Sequence, residues 1–248
     1  MTPEKTIQLY NNNITIEHFP NGRQRYLVNG KSCISVTQVT GLLNKPALTF
    51  WAANMGRDFL LDHLRQGSEI TEELIIEAAK QHTLKKAQEA TSGTLVHEWA
   101  EMYIKGLNPT MPDDNRVING VVAFLDWVKE YKVKFISSEQ IVYSRLYDYV
   151  GLMDCKFTMG SEKHKIIHAG DFKTSSGIYN EMRYQVSAYQ AADEEESGCE
   201  YGDKWIIRFD KNDGTFEAKS FAREEHEKDL SAFLGLLATK KREMELIH

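Results

Sequence analysis

Near the start of the chain, apolar and polar residues alternate, and turn sequences interrupt the alternation. The alternating segment covers residues 13–36, and the interruptions are Pro20-Asn21-Gly22 and Asn29-Gly30. Successive side chains of a strand point to opposite faces, and Asn-Gly is typical of tight hairpin turns. The segment is therefore predicted to form an antiparallel meander of three strands.

After the meander, apolar residues recur at the spacing of helices. Residues three and four apart share one face of a helix, and this spacing dominates as far as residue 105. The predicted helices lie at about 37–43, 46–66, 71–80, 84–105 and 114–131. Residues 37–105 are therefore interpreted as a helical block.

The second half of the chain mixes both patterns. Strands are predicted near 134–144, 147–157 and 165–173, followed by a helix around Gln185, a hairpin of 205–209 with 216–219 around Asn212-Asp213-Gly214, and a closing helix at about 223–246. This order indicates an α/β fold in which helices flank a central mixed β-sheet. No repeat, linker or low-complexity tract divides the sequence, so residues 1–248 are predicted to form a single domain.

Two of the predicted strands carry an aspartate and are joined by a polar turn at residues 159–164. The first strand contains Gly151-Leu152-Met153-Asp154, and the second, seventeen residues on, ends in Asp171-Phe172-Lys173. Side chains two apart in a strand share a face, so Asp171 and Lys173 project together and Phe172 points away. Paired as a hairpin, the strands place the second aspartate opposite the first.

This combination is typical of a metal site with a built-in cation. Carboxylate oxygens suit Mg²⁺ or Mn²⁺, and a lysine can hold a water or stabilise charge on a phosphate. An exposed ion pair between Asp171 and Lys173 is the alternative, since surface pairs are common and weak. The strand is apolar before Asp171, which favours a buried sheet where such charges need a purpose.

Two further pairs of candidate site residues lie in predicted helices, and the members of each pair are four residues apart. His97 and Glu101 are four residues apart in a predicted helix with a broad apolar stripe, so they share one face. Taken alone, His97 would be an ordinary core or surface histidine. Gln185 and Tyr189 have the same spacing and are assigned to a polar face of the helix after the second strand, for which simple solvation is the alternative.

The motifs G-x-x-x-H-x-x-x-E, G-x-x-D, D-x-K-T and Q-x-x-x-Y follow one another over about residues 93–192. In this order they resemble the RecB-type branch of the PD-(D/E)XK nucleases, which includes lambda-type exonucleases of phages and the mitochondrial genome maintenance exonuclease. The resemblance implies a restriction-endonuclease-like catalytic core, here at residues 93–222, with a C-terminal helix at residues 223–248.

The resemblance also implies a role for each matching residue. The implied catalytic residues are His97, Asp154, Asp171 and Lys173. The implied ligands of Mg²⁺ or Mn²⁺ are His97, Asp154, Asp171 and the backbone carbonyl of Phe172, while Lys173 positions the attacking water. Supporting or substrate-binding roles fall to Gln185, Tyr189, Glu139, Glu101 and Thr174.

The cysteines argue against a cofactor that some RecB-type nucleases carry. Cys33, Cys155 and Cys199 are scattered without a C-x-x-C pair, so reduced thiols are expected. Four cysteines would be needed to hold an iron–sulfur cluster, so no cluster is expected. No apolar run reaches transmembrane length and no signal or transit pattern is present, which predicts a cytoplasmic protein, in the host cytoplasm if a phage encodes it.

The net charge of −6 argues against passive nucleic-acid binding but not against a metal-dependent nuclease. Acidic stretches lie at the ends of predicted helices. Basic residues are expected near the site and could form a local positive groove: Lys85, Lys86, Lys132, Lys134, Lys173 and Arg183.

The sequence therefore predicts a Mg²⁺- or Mn²⁺-dependent DNA exonuclease that acts in replication, recombination or repair. A structure-specific endonuclease, a non-cleaving DNA-binding module on the same fold and a hydrolase of small phosphodiesters are the alternatives. No membrane partner is expected, and a recombination or replication protein is left open as a partner.

The helical block is long enough to arch over the site, or else it only packs on the sheet. An arch would favour single-stranded over duplex DNA. In that arrangement the strand would be contacted by Thr37, Lys45, Arg57 and Lys85, with a base stacked on Phe50 or Trp51.

Overall fold

The computed structural model describes residues 2–22, 24–43, 46–160, 166–210 and 213–246, without the side chains of residues 46, 47, 86–94 and 116. Most of the turn predicted at residues 159–164 therefore lies outside the described residues, as do Lys45 and Asn212. The surroundings of Gly93 and the side chain of Lys86 are also outside them.

The N-terminal segment forms an antiparallel sheet of four strands. In order, these are β1 (Lys5–Leu9), β2 (Ile14–His18), β3 (Tyr26–Val28) and β4 (Lys31–Ser32). The predicted meander corresponds to β2 to β4, and β1 is an additional strand that pairs with β2. Ile16, Tyr26 and Val150 belong to one buried cluster, which packs this sheet against the second half of the chain.

Between residues 36 and 130, the described residues form four helices where the pattern predicts five. The helices are α1 (Val36–Thr40), α2 (Pro46–Arg65), α3 (Glu72–Ile104) and α4 (Asn115–Glu130). The two helices predicted at 71–80 and 84–105 are one, because residues 81–83 include no glycine or proline that would end a helix. None of the helices in the described ranges combines the length and the apolar character that crossing a membrane requires.

The second half of the chain forms a mixed sheet of five strands in sequential order. The strands are β5 (Lys134–Ser144), β6 (Tyr149–Thr158), β7 (Ile167–Lys173), β8 (Tyr201–Phe209) and β9 (Phe216–Phe221). Only the pairing of β7 with β8 is parallel, and α5 (Asn180–Ser197) connects these two strands. A short 3₁₀ turn then leads into α6 (His226–Leu246).

Helices cover both faces of this sheet. On one face, Tyr149 packs with Tyr189 of α5 and Phe233 of α6. On the other face, Phe172 packs with Trp99 of α3 and Phe124 of α4. The predicted fold class is therefore confirmed: a central mixed sheet flanked by helices, preceded by an antiparallel sheet.

A buried polar network attaches α6 to α5 and β8. Gln190 Nε2 donates to the Gly202 carbonyl (3.2 Å), which leaves Gln190 Oε1 to accept from His226 Nδ1 at 3.0 Å. Because the imidazole of His226 is buried, its protonation would place a positive charge away from water. Burial, together with the nearby cations Arg223 and Lys204, lowers the pKa of His226 to about 4, although Asp229 opposes the shift.

We expect this histidine to make stability fall in mild acid. Its pKa is lower in the folded protein than the ordinary value of 6.5, so the unfolded chain binds the proton first and stability is lost as pH falls from 6.5 towards 4. Between pH 7 and 5 the expected contribution is about 2 kcal/mol at most. Urea unfolding of the protein and of His226→Asn across this range measures it; parallel pH profiles would show that another group is responsible.

Candidate active site

The site begins where β6 and β7 separate. The last backbone pair of this antiparallel ladder joins Cys155 to Gly170. Beyond it, the Phe172 amide donates to Asp154 Oδ2 at 2.7 Å. A side-chain carboxylate thus satisfies a backbone donor that the separating strand has left unpaired, and this bond brings Asp154 next to the end of β7.

The end of β7 places its residues on opposite faces, as the strand pattern predicts. Asp171 is fully buried, and its Oδ2 atom forms an ion pair with Lys173 Nζ. Phe172 points the other way and packs against Phe124 and Phe209. The aromatic core therefore fixes the strand, and the strand directs the acid and the amine into the same space.

Gln185 and Tyr189 support Asp171 from α5. Gln185 Nε2 donates to Asp171 Oδ1 (3.0 Å) and to the Tyr189 hydroxyl (2.8 Å). Both side chains are buried, so the alternative of a merely solvated helix face does not hold for them. The reason is that this polar pair faces the sheet, where a buried carboxylate needs hydrogen-bond donors.

Gly151 leaves the space that Tyr189 occupies. A Cβ atom at Gly151 would lie 2.5 Å from Tyr189 Cε1 and 3.0 Å from Val36 Cγ2. Real Cβ atoms do not approach so closely, and the ring has no room to retreat in a packed core. The glycine of G-x-x-D and the tyrosine of Q-x-x-x-Y therefore depend on each other sterically.

His97 approaches from α3. Its Nδ1 atom is 4.0 Å from Asp154 Oδ2, and its ring meets that of Phe172 edge-on with centroids 6.0 Å apart. Burial and the positive charge of Lys173 lower the pKa of His97, while Asp171 opposes the shift. The histidine thus lies close to Asp154, and the lowered pKa favours its neutral form.

The two carboxylates strongly affect the charges of the site. Burial, and then repulsion from Asp171, raise the pKa of Asp154 well above its ordinary value. Burial of Lys173 opposes its charge, but attraction to Asp171 and Asp154 prevails and raises its pKa. The cluster therefore favours additional positive charge beside the carboxylates.

The donor set suits a hard divalent cation, although the ligands are not fully assembled. Asp171 Oδ2 is buried and accepts no well-directed hydrogen bond, despite its ion pair with Lys173. His97 Nδ1 and Asp154 Oδ2 lie 4.0 Å apart, so His97, Asp154 and Asp171 would be the residues to hold the cation. Among the described residues, no three His, Cys, Asp or Glu side chains form a complete preformed ligand group.

The remaining predicted site residues are less central. Glu139 lines the cleft at the site, where desolvation and repulsion from Glu101 raise its pKa. Its backbone has a φ of 47°, and Lys5 Nζ donates to its carbonyl at 3.1 Å. Glu101 is ion-paired with Lys105, and neither Glu101 nor the half-buried Thr174 is part of the described cleft lining. A metal-binding role for the Phe172 carbonyl stays a prediction.

The cleft has a second wall that the sequence reasoning missed. The cleft has a volume of about 340 Å³ and lies between strands β5 to β7 and the N-terminal sheet. The N-terminal sheet and its turns contribute Glu4, His18, Pro20, Arg25 and Tyr26. The only sequence signal was the Pro20-Asn21-Gly22 turn, which predicts a hairpin but not the surface that the hairpin faces.

The expected basic groove and helical arch have only partial counterparts. Within the described lining of the cleft, Lys173 and Thr37 are present, but Lys85, Lys132, Lys134, Arg183 and Arg57 are not. Arg183 instead pairs with Asp229 at 3.0 Å. Phe50 is exposed and Trp51 is half-buried, and both lie outside the cleft. The described lining of the cleft therefore contains only Lys173 of the expected basic residues, and a wider positive groove stays a prediction.

We expect Gly151→Ala to disturb the site although it replaces none of the charged residues. The added methyl group must displace Tyr189, which holds Gln185 against Asp171, so unfolding free energy should fall by about 2 kcal/mol. Gly235→Ala is the matched control, because its position in α6 has open space around it and alanine favours helix. Urea denaturation of both variants tests this; equal stability of the two would show that Tyr189 can move freely.

Comparisons with known proteins give little further information. No family model matches the chain, and no curated protein matches its sequence. Among solved structures, the crystal structure of a protein named "putative exonuclease" from Eubacterium rectale is similar, with a TM-score of 0.38 and 11% sequence identity. The similarity covers 58% of this chain, and this chain spans 64% of that one.

Proposed function

We propose that this protein is a Mg²⁺- or Mn²⁺-dependent DNA nuclease that hydrolyses phosphodiester bonds. The observation that carries the proposal is the convergence of Asp154, Asp171 and Lys173 at the separated ends of β6 and β7. A buried and a half-buried carboxylate beside a lysine are costly to fold, so their joint presence in a cleft favours a catalytic over a purely structural role.

Each residue has a task that its position supports. Asp154, Asp171 and His97 would hold the cation, which when bound supplies Lewis acidity and lowers the pKa of a coordinated water. Gln185 keeps Asp171 oriented through its Oδ1 atom, while Oδ2 is paired with Lys173 and would be shared between this lysine and the cation. Lys173 holds the attacking water or stabilises charge on a phosphate oxygen.

The substrate in this proposal is DNA, and the mode of attack is exonucleolytic. The cleft lies between the two sheets and has a volume of about 340 Å³. This volume suits one or two nucleotides of a single DNA strand rather than a duplex. The exonuclease assignment follows the resemblance of the motifs. A cytoplasmic location and a role in replication, recombination or repair belong to the same proposal.

A non-cleaving binding module is the main competing function. Such a module would gain nothing from placing Asp154 beside Asp171, because burial and then repulsion from Asp171 raise the pKa of Asp154 and so disfavour its ionised form in the folded protein. Measured nuclease activity with dependence on these residues separates the two functions.

Substitutions of Asp171 and Lys173 should affect metal affinity and cleavage rate differently. We expect Asp171→Asn to lower Mn²⁺ affinity at least tenfold and to abolish cleavage, because it removes a carboxylate ligand. Lys173→Met should retain Mn²⁺ binding and lose at least a hundredfold in cleavage rate, since a protonated lysine is not a ligand. Calorimetric titration with Mn²⁺ and a cleavage assay provide the measurements.

Asp58→Ala is the control for these variants, because Asp58 is exposed on α2 and pairs only locally with Arg57. It should match the parent protein in both assays. Equal loss of metal affinity in the Asp171 and Lys173 variants would refute the division of roles, and full activity in excess EDTA would refute the metal requirement.

Exonuclease action should require a free DNA end. We expect linear single strands to be degraded and covalently closed single-stranded circles of the same sequence to survive. Gel analysis of both substrates in one Mg²⁺ reaction makes the comparison internal. Degradation of circles at the rate of linear strands would identify an endonuclease instead.

A further inference from the structure

The N-terminal sheet presents a stacked aromatic pair to the cleft. His18 in β2 lies directly opposite Tyr26 in β3, and their rings stack with centroids 4.7 Å apart and an interplanar angle of 15°. Tyr26 is buried beneath the imidazole, whereas His18 is only half-buried. Tyr26 therefore covers one face of the His18 ring, and both residues line the cleft.

Next to this pair, Arg25 places a cation in the lining of the cleft. Its side chain is exposed and makes no hydrogen bond or ion pair with any other residue in the described ranges. Its backbone is fixed, because the Phe19 amide donates to the Arg25 carbonyl at 2.8 Å. The backbone of Arg25 is thus held in the hairpin, and its guanidinium is available to bind a ligand.

The charged side chains in the described lining of the cleft are mostly acidic, so a cation such as Arg25 would be needed to bind an anion there. The described lining contains four carboxylates, at Glu4, Glu139, Asp154 and Asp171. Its lysine, Lys173, is already engaged with Asp171. An anionic strand entering this space needs a cation on the opposite wall, and a guanidinium can bind two phosphate oxygens at once.

His18 supplies a different kind of contact. Burial, followed by the charges of Arg25 and Lys5, lowers the pKa of the imidazole, with Glu4 opposing. An uncharged aromatic ring supported from behind is the type of surface on which an unpaired base stacks. Duplex DNA keeps its bases inside the helix and could not use such a surface.

We propose that His18 and Arg25 form a binding site for single-stranded DNA on the wall facing the catalytic residues, in which Arg25 binds a phosphate next to the scissile one and His18 stacks on a base. This inference rests on the proposed nuclease function and names its strand-binding wall. It also moves the strand contacts from the helical block to the N-terminal sheet.

The test compares Arg25→Ala with Lys31→Ala. Both residues are exposed cations of the N-terminal sheet region, and Lys31 lies outside the described lining of the cleft. Fluorescence anisotropy with a short labelled oligo(dT) strand, in Ca²⁺ to restrain turnover, measures affinity over a range of salt concentrations. Circular dichroism confirms that each variant is folded.

We expect Arg25→Ala to bind the strand about 5- to 20-fold more weakly and to flatten the dependence of log affinity on log salt by about 0.7, the value of one single-strand phosphate contact. Lys31→Ala should match the parent in both. His18→Ala should lose about fivefold or more, and His18→Phe, which keeps a ring over Tyr26, should recover most of it.

The outcomes distinguish this site from the nuclease function. If the protein cleaves DNA but Arg25→Ala behaves like Lys31→Ala, the wall proposal is wrong and the function stands. If Arg25 and His18 control binding but no metal supports cleavage, the function is wrong and the binding site stands. A protein that neither binds nor cleaves the strand overturns both.

Discussion

The burial of Asp171 is the constraint on which the rest of the site depends. An ionised carboxylate inside a protein must be paired and hydrogen-bonded, and Asp171 meets this requirement through Lys173 on its own strand and Gln185 on α5. Gln185 is in turn held by Tyr189, whose ring fits only because residue 151 has no side chain. The buried carboxylate of Asp171 therefore depends on residues of β7, α5 and β6. A substitution of Lys173, Gln185, Tyr189 or Gly151 would alter its surroundings.

Much of the central sheet could be predicted because its signals are local. Apolar runs separated by polar turns identify the strands, and the two-residue period puts Asp171 and Lys173 on one face whatever the rest of the fold does. The extent of α3 was less accessible, since three polar residues looked like a break although nothing in them opposes a helix. Local patterns thus give the elements but not always where they end.

The environment of α5 and the second wall of the cleft could not be predicted locally. Gln185 and Tyr189 look like a solvated face, and only the position of Asp171 across the helix–sheet interface makes them buried donors. Arg25 and Asp154 are brought to one cleft by packing of Ile16, Tyr26 and Val150, which are distant in sequence. His97 was identified through a resemblance, since spacing alone does not relate it to Asp154.

The acidity of the chain is compatible with an anionic substrate because charges act over short distances. Exposed charges farther apart than about 10 Å are largely screened at ordinary salt, so the net charge of −6 says little about a particular cleft. Inside the cleft the balance is set by four carboxylates, Lys173 and Arg25. The lining from β5, β6 and β7 alone would present an anion with three carboxylates and one lysine. The N-terminal sheet and its turns add Glu4 as well as Arg25, so they leave the net charge of the lining unchanged but place a cation on the wall opposite Lys173. The packing of this sheet against β6 through Val150 makes it part of the site.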